Sequence, residues 1–184
     1  MSTFTTIFLS EISDNKSGRE KSSTALVRQG DWSFTQLGNY TVASPLLVSN
    51  GNTSKITFQL SDITYTYGNG GIDTSYDFTA QKFIPSTVND LFTVEVRMKV
   101  KSSAQNSHLD LKVESPSFAF NPLNAQTHNF VHSANDEQFM SSNFMIFISE
   151  DVKANGIEFK VTAHDGNISI YDVSYLIYRM ASGI

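Results

Sequence analysis

Residues 163–173, AHDGNISIYDV, bring a histidine, two aspartates and a glycine close together in the chain. Imidazole and carboxylate groups ligate metal ions and exchange protons, so the segment could be a metal or acid–base site. It could also be a bend, because Asp-Gly favours the two-residue type I′ loop of a β-hairpin. A turn at Asp165–Gly166 places Ala163 opposite Ile168 with matched apolar faces, and a bulge near Ile170–Tyr171 keeps later pairs in phase. We therefore predict a hairpin tip and no site.

A second candidate consists of His128 and His132, followed by Asp136 and Glu137. Histidines four residues apart on a helix could chelate a metal ion. The surrounding NAQTHNFVHSANDEQ has no helical apolar stripe, however, and is typical of a loop with a short strand. The sequence therefore predicts no metal ligands in this segment.

Signatures of catalysis are missing elsewhere in the sequence. There is no cysteine, no G-x-S-x-G and no H-E-x-x-H, which excludes thiolate zinc sites and several hydrolase mechanisms. The segment GNTSK, residues 51–55, lacks the Gly-Lys before Ser or Thr that a phosphate-binding loop needs. We predict no catalytic residue, no metal and no cofactor, and hence that the chain is not an enzyme.

Two tyrosines suggest a binding role instead. Tyr65 and Tyr67 fall on one face of the strand-like DITYTYG. Exposed aromatic faces can stack on sugar rings, so this pair could bind a glycan. The alternative is that both rings pack into the core or an interface, and the sequence leaves both open.

Charge and hydropathy exclude other partners. The net charge is −5 and the 13 basic residues are scattered, which argues against binding of nucleic acid. The first 23 residues lack the basic start and apolar run of a signal peptide. No stretch of 18 apolar residues is present, so we expect no membrane span and synthesis in a cytoplasm.

The elements that would position any site are strands. In FTVEVRMKVK, residues 92–101, apolar and polar residues alternate, which is typical of an antiparallel sheet packed on one side. KITFQL, HLDLKVE and GIEFKVTA follow the same rule, and Gly-, Asn- and Ser-rich segments separate the strands. TVNDLF and SEDVKA could each hold one helical turn. We predict an all-β sandwich or barrel.

The segment NFMIFIS is apolar on both faces. Phe144, Ile146 and Ile148 would point one way, and Met145 and Phe147 the other. A strand of this kind needs cover on both sides. Either an intramolecular loop or sheet edge covers Met145 and Phe147, or a neighbouring subunit does, which would make a closed homo-oligomer.

Two segments carry a family resemblance. SYDFTAQKFIPSTVNDLFTVEVRMKVKS leads from an aromatic strand into a long alternating strand, and GIEFKVTAHDGNISIYDVSYLIYRM is a closing hairpin. With these segments, residues 24–184 resemble the small jelly-roll structural proteins of tailed bacteriophages, which share the tumour-necrosis-factor-like sandwich. The resemblance implies an antiparallel jelly-roll β-sandwich and a non-enzymatic virion protein, a homotrimeric capsid decoration or fibre module. Capsid or tail proteins would be its partners, with a host surface glycan as an alternative ligand.

Residues 1–23 fit this expectation as an N-terminal arm. Phe4, Ile7, Phe8 and Leu9 form a short apolar segment, and the polar SDNKSGREKSS follows it. Such a segment could dock onto a capsid or tail surface through a solvated linker. The alternative is that TFTTIFL is an edge strand of the same domain.

Overall fold

Two antiparallel sheets and one short helix make up the described part of this computed structural model: residues 32–67, 76–116, 118–119, 121–130 and 133–181. The strands are β1 Trp32–Gln36, β2 Leu46–Val48, β3 Thr53–Lys55, β4 Ile63–Tyr67, β5 Tyr76–Asp77, β6 Lys82–Phe83, β7 Leu91–Ser102, β8 His108–Glu114, β9 Asn124–Asn129, β10 Glu137–Phe147, β11 Glu158–His164 and β12 Ile168–Ala181. The helix α1, Glu150–Asn155, precedes β11.

The larger sheet has the strand order β10-β7-β12-β1-β4, with β2 also paired to β12. The smaller sheet has the order β3-β11-β8-β9, and β5 and β6 form a separate ribbon. The two sheets pack face to face around one core. The predicted all-β antiparallel jelly-roll sandwich is confirmed.

Alternation of apolar and polar residues explains the long strands. In β7 every second side chain is buried, as the sequence predicts, and β8 repeats this pattern from the opposite sheet. The inward residues of these two strands are at most 3% exposed: Phe92, Val94, Val96, Met98, Val100, Leu109, Leu111 and Val113. Burial of these two facing rows supplies much of the core.

The predicted hairpin around Asp165–Gly166 is wrong. β11 pairs with β8 and β3, whereas β12 pairs with β7, β1 and β2, so the turn crosses from one sheet to the other. Ala163 and Ile168 are both buried, but they face the core from opposite sheets. The alternation of apolar residues is the same whether two strands pair in one sheet or pack face to face from two sheets. The match between Ala163 and Ile168 therefore did not establish a hairpin. A register shift does occur after Tyr171, in the pairing of β12 with β7.

The predicted strand KITFQL, residues 55–60, is wrong beyond its first residue, because β3 ends at Lys55 and residues 56–60 lie outside any strand. Ile56 and Phe58 are buried, but Leu60 lies in a turn and is 85% exposed. The Gln81 side chain takes the place of a strand partner: its Oε1 accepts from the Phe58 N–H at 2.8 Å and its Nε2 donates to the Phe58 carbonyl at 3.1 Å. Asp62 then closes the turn by accepting from the Gln59 N–H at 2.6 Å.

One of the two predicted helical turns forms. SEDVKA contributes α1, which begins where the Ser149 hydroxyl accepts from the Val152 N–H and ends at Gly156, whose φ is 74°. Close contacts to Phe83 and Ile84 leave no room for a side chain at Gly156. TVNDLF contains a turn and the start of β7 instead of a helix.

Tyr175 lies at the centre of the core, within 4.8 Å (ring centroids) of both Phe58 and Phe159. It is fully buried, and its hydroxyl has no hydrogen-bond partner among the described residues. An unsatisfied buried hydroxyl costs free energy that an apolar replacement of the same shape recovers.

We predict that Tyr175→Phe leaves the free energy of unfolding unchanged or raises it by about 1 kcal/mol, because it removes an unpaired polar atom. Tyr175→Ala should lower that free energy by about 3–5 kcal/mol, because it leaves a cavity. Urea unfolding followed by tryptophan fluorescence measures both. A Tyr175→Phe protein that is clearly less stable than the wild type would contradict the assignment of an unpaired hydroxyl.

Candidate functional site

The outer face of the larger sheet, which points away from the core, carries a group of apolar side chains at one end. In antiparallel sheets, directly opposed residues point to the same side. The pairs Met145–Thr93, Thr93–Tyr178 and Tyr178–Trp32 therefore form one row across four strands. Around this row lies what we call the apolar patch: Trp32, Phe34, Leu91, Met145, Phe147, Leu176, Tyr178 and Met180.

Several members of the apolar patch are open to solvent. Met145 is 62% exposed, Phe147 55% and Met180 50%, while Trp32 and Phe34 are half-buried. Soluble proteins seldom expose large apolar side chains in a contiguous group, and such groups mark interaction surfaces. The patch is therefore the strongest candidate for a functional surface in the described part of the chain.

The other end of the outer face carries charged side chains that are mostly paired, together with the exposed Phe139 and Leu47. Arg97 donates two hydrogen bonds to the Glu95 carboxylate, at 2.7 and 2.8 Å, and the Ser141 hydroxyl donates a third at 2.7 Å. The bonds from Arg97 hold the pKa of Glu95 below its ordinary value. Lys99 lies 3.2 Å from Asp172 and 3.5 Å from Glu137.

Tyr171 completes this charged half of the face. Its hydroxyl donates to Glu137, and Lys101 lies over its ring, 5.8 Å from the centroid. Burial, together with the bond to Glu137, raises the pKa of Tyr171 to about 12. The phenol therefore stays neutral at physiological pH and acts as a donor, not as a nucleophile or base.

Of the residues that opened the sequence analysis, His164 lies on the outer face of the smaller sheet and Asp165 in the turn that follows it, whereas Asp172 belongs to β12 of the larger sheet. The His108 and His164 rings stack with centroids 4.3 Å apart, and the His164 Nε2 lies 3.1 Å from Asp110 Oδ2. Burial opposes ionisation of Asp110, but hydrogen bonds from Thr127 and His164 outweigh it and lower the carboxyl pKa. Asp165 lies 3.4 Å from His108 Nδ1.

These side chains do not assemble into a metal centre. Within the residues that the structure describes, no three His, Cys, Asp or Glu side chains are placed to hold one ion. His128 instead bonds Ser142 at 2.6 Å, and His132 lies outside the described residues. The described groups form ion pairs and hydrogen bonds with one another, which is a structural role.

Of the predicted interface residues, Met145 and Phe147 belong to the part of the chain that the structure describes. Met145 and Phe147 point outward from β10, whereas Phe144, Ile146 and Ile148 are buried. Phe4, Ile7, Phe8 and Leu9 lie outside the described residues.

The backbone of β4 aligns the predicted tyrosine pair with aromatic residues of β1. Tyr65 lies opposite Phe34, and Tyr67 lies opposite Trp32, in the β1–β4 register. The predicted stacking residues therefore belong to the same end of the sheet as the apolar patch.

Sequence reasoning missed Tyr178 and Met180 as members of this surface. In SYLIYRM, Ile177 is buried and points inward, whereas Tyr178 and Met180 are exposed on the other face. The segment is apolar in both phases, as NFMIFIS is, and this shared property could have identified it.

No helix among the described residues is long and apolar enough to cross a membrane.

Comparisons with known proteins support the fold. No protein-family model and no curated protein matches the chain. The Eiger TNF from S. frugiperda superposes with a TM-score of 0.52 at 10% sequence identity, over 85% of this chain and 96% of that one. At this identity the likeness establishes the jelly-roll sandwich alone.

Two further solved structures align less well. The globular domain of zebrafish complement 1qA has a TM-score of 0.46 at 11% identity, covering 84% of this chain and 100% of that one. The vertex protein P5 of PRD1 also has a TM-score of 0.46, at 13% identity, covering 82% and 73%.

We predict that the melting temperature does not change when EDTA or calcium is added, because the described carboxylates and imidazoles do not converge on an ion site. A site at 100 times its dissociation constant would stabilise the fold by about 2.7 kcal/mol, a shift that differential scanning fluorimetry detects easily. A rise in melting temperature with calcium that EDTA reverses would contradict this prediction.

Proposed function

We propose that the chain is a non-enzymatic structural protein of a bacteriophage virion, a homotrimeric capsid decoration or fibre module. It would be made in the host cytoplasm and attached to capsid or tail proteins through its N-terminal arm. The observation that carries the proposal is the exposed apolar patch on a sheet whose opposite face already forms the core. An assembled particle provides the protein surfaces that such a patch requires.

A second copy of the chain is the partner that the patch favours. Three cations on the outer face, Arg97, Lys99 and Lys101, are balanced by three carboxylates, Glu95, Glu137 and Asp172. Among the described residues the face has no excess of either sign, so they do not repel an identical surface. Each patch side chain that becomes fully buried contributes roughly 1.5–3 kcal/mol toward the cost of association.

The arrangement of the patch suits a closed ring. Met145 and Phe147 form a strip on the edge strand β10, and Tyr178, Met180 and Trp32 form a second strip on β12 and β1. Two strips on one face allow each copy to contact two neighbours, as a cyclic trimer requires.

The N-terminal arm would provide the attachment. Residues 1–23 lie outside the described residues, but the chain enters β1 at Trp32, beside Tyr178 in the apolar patch. Three arms that leave from one assembly bind multivalently, so a weak contact by Phe4, Ile7, Phe8 and Leu9 of each arm would give durable attachment.

Carbohydrate binding, as a module or a tail receptor-binding protein, is the second candidate function. The observation that favours it is the β1–β4 register, which aligns Tyr65 and Tyr67 with Phe34 and Trp32. Binding to a glycan array that disappears in Tyr65→Ala/Tyr67→Ala, with strand content retained, would favour this function over the first.

We predict that light scattering gives three times the mass of one chain at micromolar concentration. Met145→Lys/Phe147→Lys should give monomers with unchanged strand content, because both side chains point outward and contribute little to the core. Leu60→Lys, at an exposed turn away from the patch, is the matched control and should stay trimeric. A monomeric wild type, or a trimer that survives the double substitution, would refute the patch as the interface.

We predict that removal of residues 1–23 abolishes association with phage particles and leaves strand content, oligomeric state and melting temperature nearly unchanged. The polar residues 13–23 are expected to stay solvated, so their loss removes little packing. Co-sedimentation with particles and circular dichroism measure the two effects. A truncated protein that aggregates or melts many degrees lower would show instead that TFTTIFL is a strand of the sandwich.

A further inference from the structure

Strands β9 and β10 lie side by side where the two sheets meet. In the described part of the chain, β9 pairs only with β8 and β10 only with β7. Side chains join the two edges: Gln126 Nε2 donates to the Asn143 carbonyl at 2.6 Å, and His128 Nε2 lies 2.6 Å from Ser142 Oγ. The seam, defined as β9 and β10 with these two contacts, therefore depends on side chains and not on a backbone ladder.

His128 points toward the core in this seam. It lies opposite Leu109, which is fully buried, and its partner Ser142 is also buried. β9 carries no other titratable residue. Burial is the cause that lowers the pKa of His128.

The charged side chains of the neighbouring strands β7, β8 and β10 do not face His128 and bond other residues. On β8, Asp110 lies on the opposite face and bonds Thr127 and His164, while Lys112 bonds Thr162. On β10, Glu137 is at the start of the strand, bonded to Tyr171. The β7 charges next to β10 lie on the outer face of the sheet. Among the described residues, a protonated His128 would therefore lack a carboxylate partner for its positive charge at the edge of the core.

We propose that the seam is an acid-sensitive contact, in which protonation of His128 releases β9 from β10 while the rest of the sandwich stays folded. Release replaces the two side-chain contacts with water, which solvates the imidazolium. It also opens the backbone edge of β10, and an open edge can pair with a strand from another protein.

The direction of the pH effect follows from linkage. A histidine with a lowered pKa in the folded state binds its proton more readily once the seam opens. The closed seam is therefore fully favoured above the ordinary histidine value of 6.5, and that preference is lost as the pH falls below it. The surface that acid would modulate includes β10, the strand that carries Met145 and Phe147. Only this link to assembly rests on the proposed function.

Hydrogen exchange of the full-length protein between pH 7.5 and pH 5.5, corrected for the intrinsic pH dependence, tests the proposal. We expect the seam-facing amides of residues 124–130 and 137–147, which do not bond β8 or β7, to lose protection several-fold at the lower pH while the amides of β8 and β12 stay protected. His128→Gln keeps an amide that can bond Ser142 and cannot ionise, so it should abolish the loss. His164→Gln, whose imidazole partner is Asp110 on the other face, is the matched control and should behave as the wild type does.

Two results would overturn the proposal: selective loss of protection that persists in His128→Gln, or a wild-type seam that stays equally protected at pH 5.5. A titration of the wild-type histidine resonances by NMR provides an independent check, since His128 should titrate below a histidine in an unfolded peptide. Light scattering at both pH values separates the two proposals. Acid opening without a trimer would refute the assembly role alone, and a trimer without acid opening would refute the seam alone.

Discussion

The inward-pointing side chains of β7 and β12 in one sheet pack against those of β8 and β11 in the other. This burial determines which way the remaining side chains of these four strands point. Because strand side chains alternate, each residue that points away from the core must meet water or another protein. The polar outward residues of β7 meet water. The outward residues of β10 and β12 include apolar side chains, whose exposure to water is unfavourable. The proposed function gives these side chains a protein partner.

The two outer faces of the sandwich differ in the side chains that they expose. On the smaller sheet, Lys160 lies 2.7 Å from Glu114, and Lys55 lies 2.8 Å from Glu158, so alternating charges pair across neighbouring strands. On the larger sheet such pairs occupy only one end, and the apolar patch occupies the other. The smaller sheet therefore has a surface suited to solvent, whereas the larger sheet combines a region for association with a charged region that can set its register.

The sequence predicts the direction of side chains well and the identity of strand partners poorly. Alternation places Val96 inward and Met145 outward because a period of two depends only on the strand itself. It does not distinguish Ala163 beside Ile168 in one sheet from the same residues facing each other across the core, which led to the wrong hairpin. Leu60 turns outward because the Gln81 side chain binds the Phe58 backbone, a contact between distant residues that no local pattern encodes.

The seam and the ion pairs respond to acid in different pH ranges. Hydrogen bonds from Arg97 lower the pKa of Glu95, and hydrogen bonds from Lys55 and Lys160 outweigh burial to lower that of Glu158. The stability that these carboxylates contribute is present above their ordinary value of 4.5 and is lost as the pH falls below it. The contribution of His128 is lost below 6.5, at a higher pH. Between these values the ion pairs of Glu95 and Glu158 persist, so the proposed acid response of the seam would come at a higher pH than the loss of these pairs.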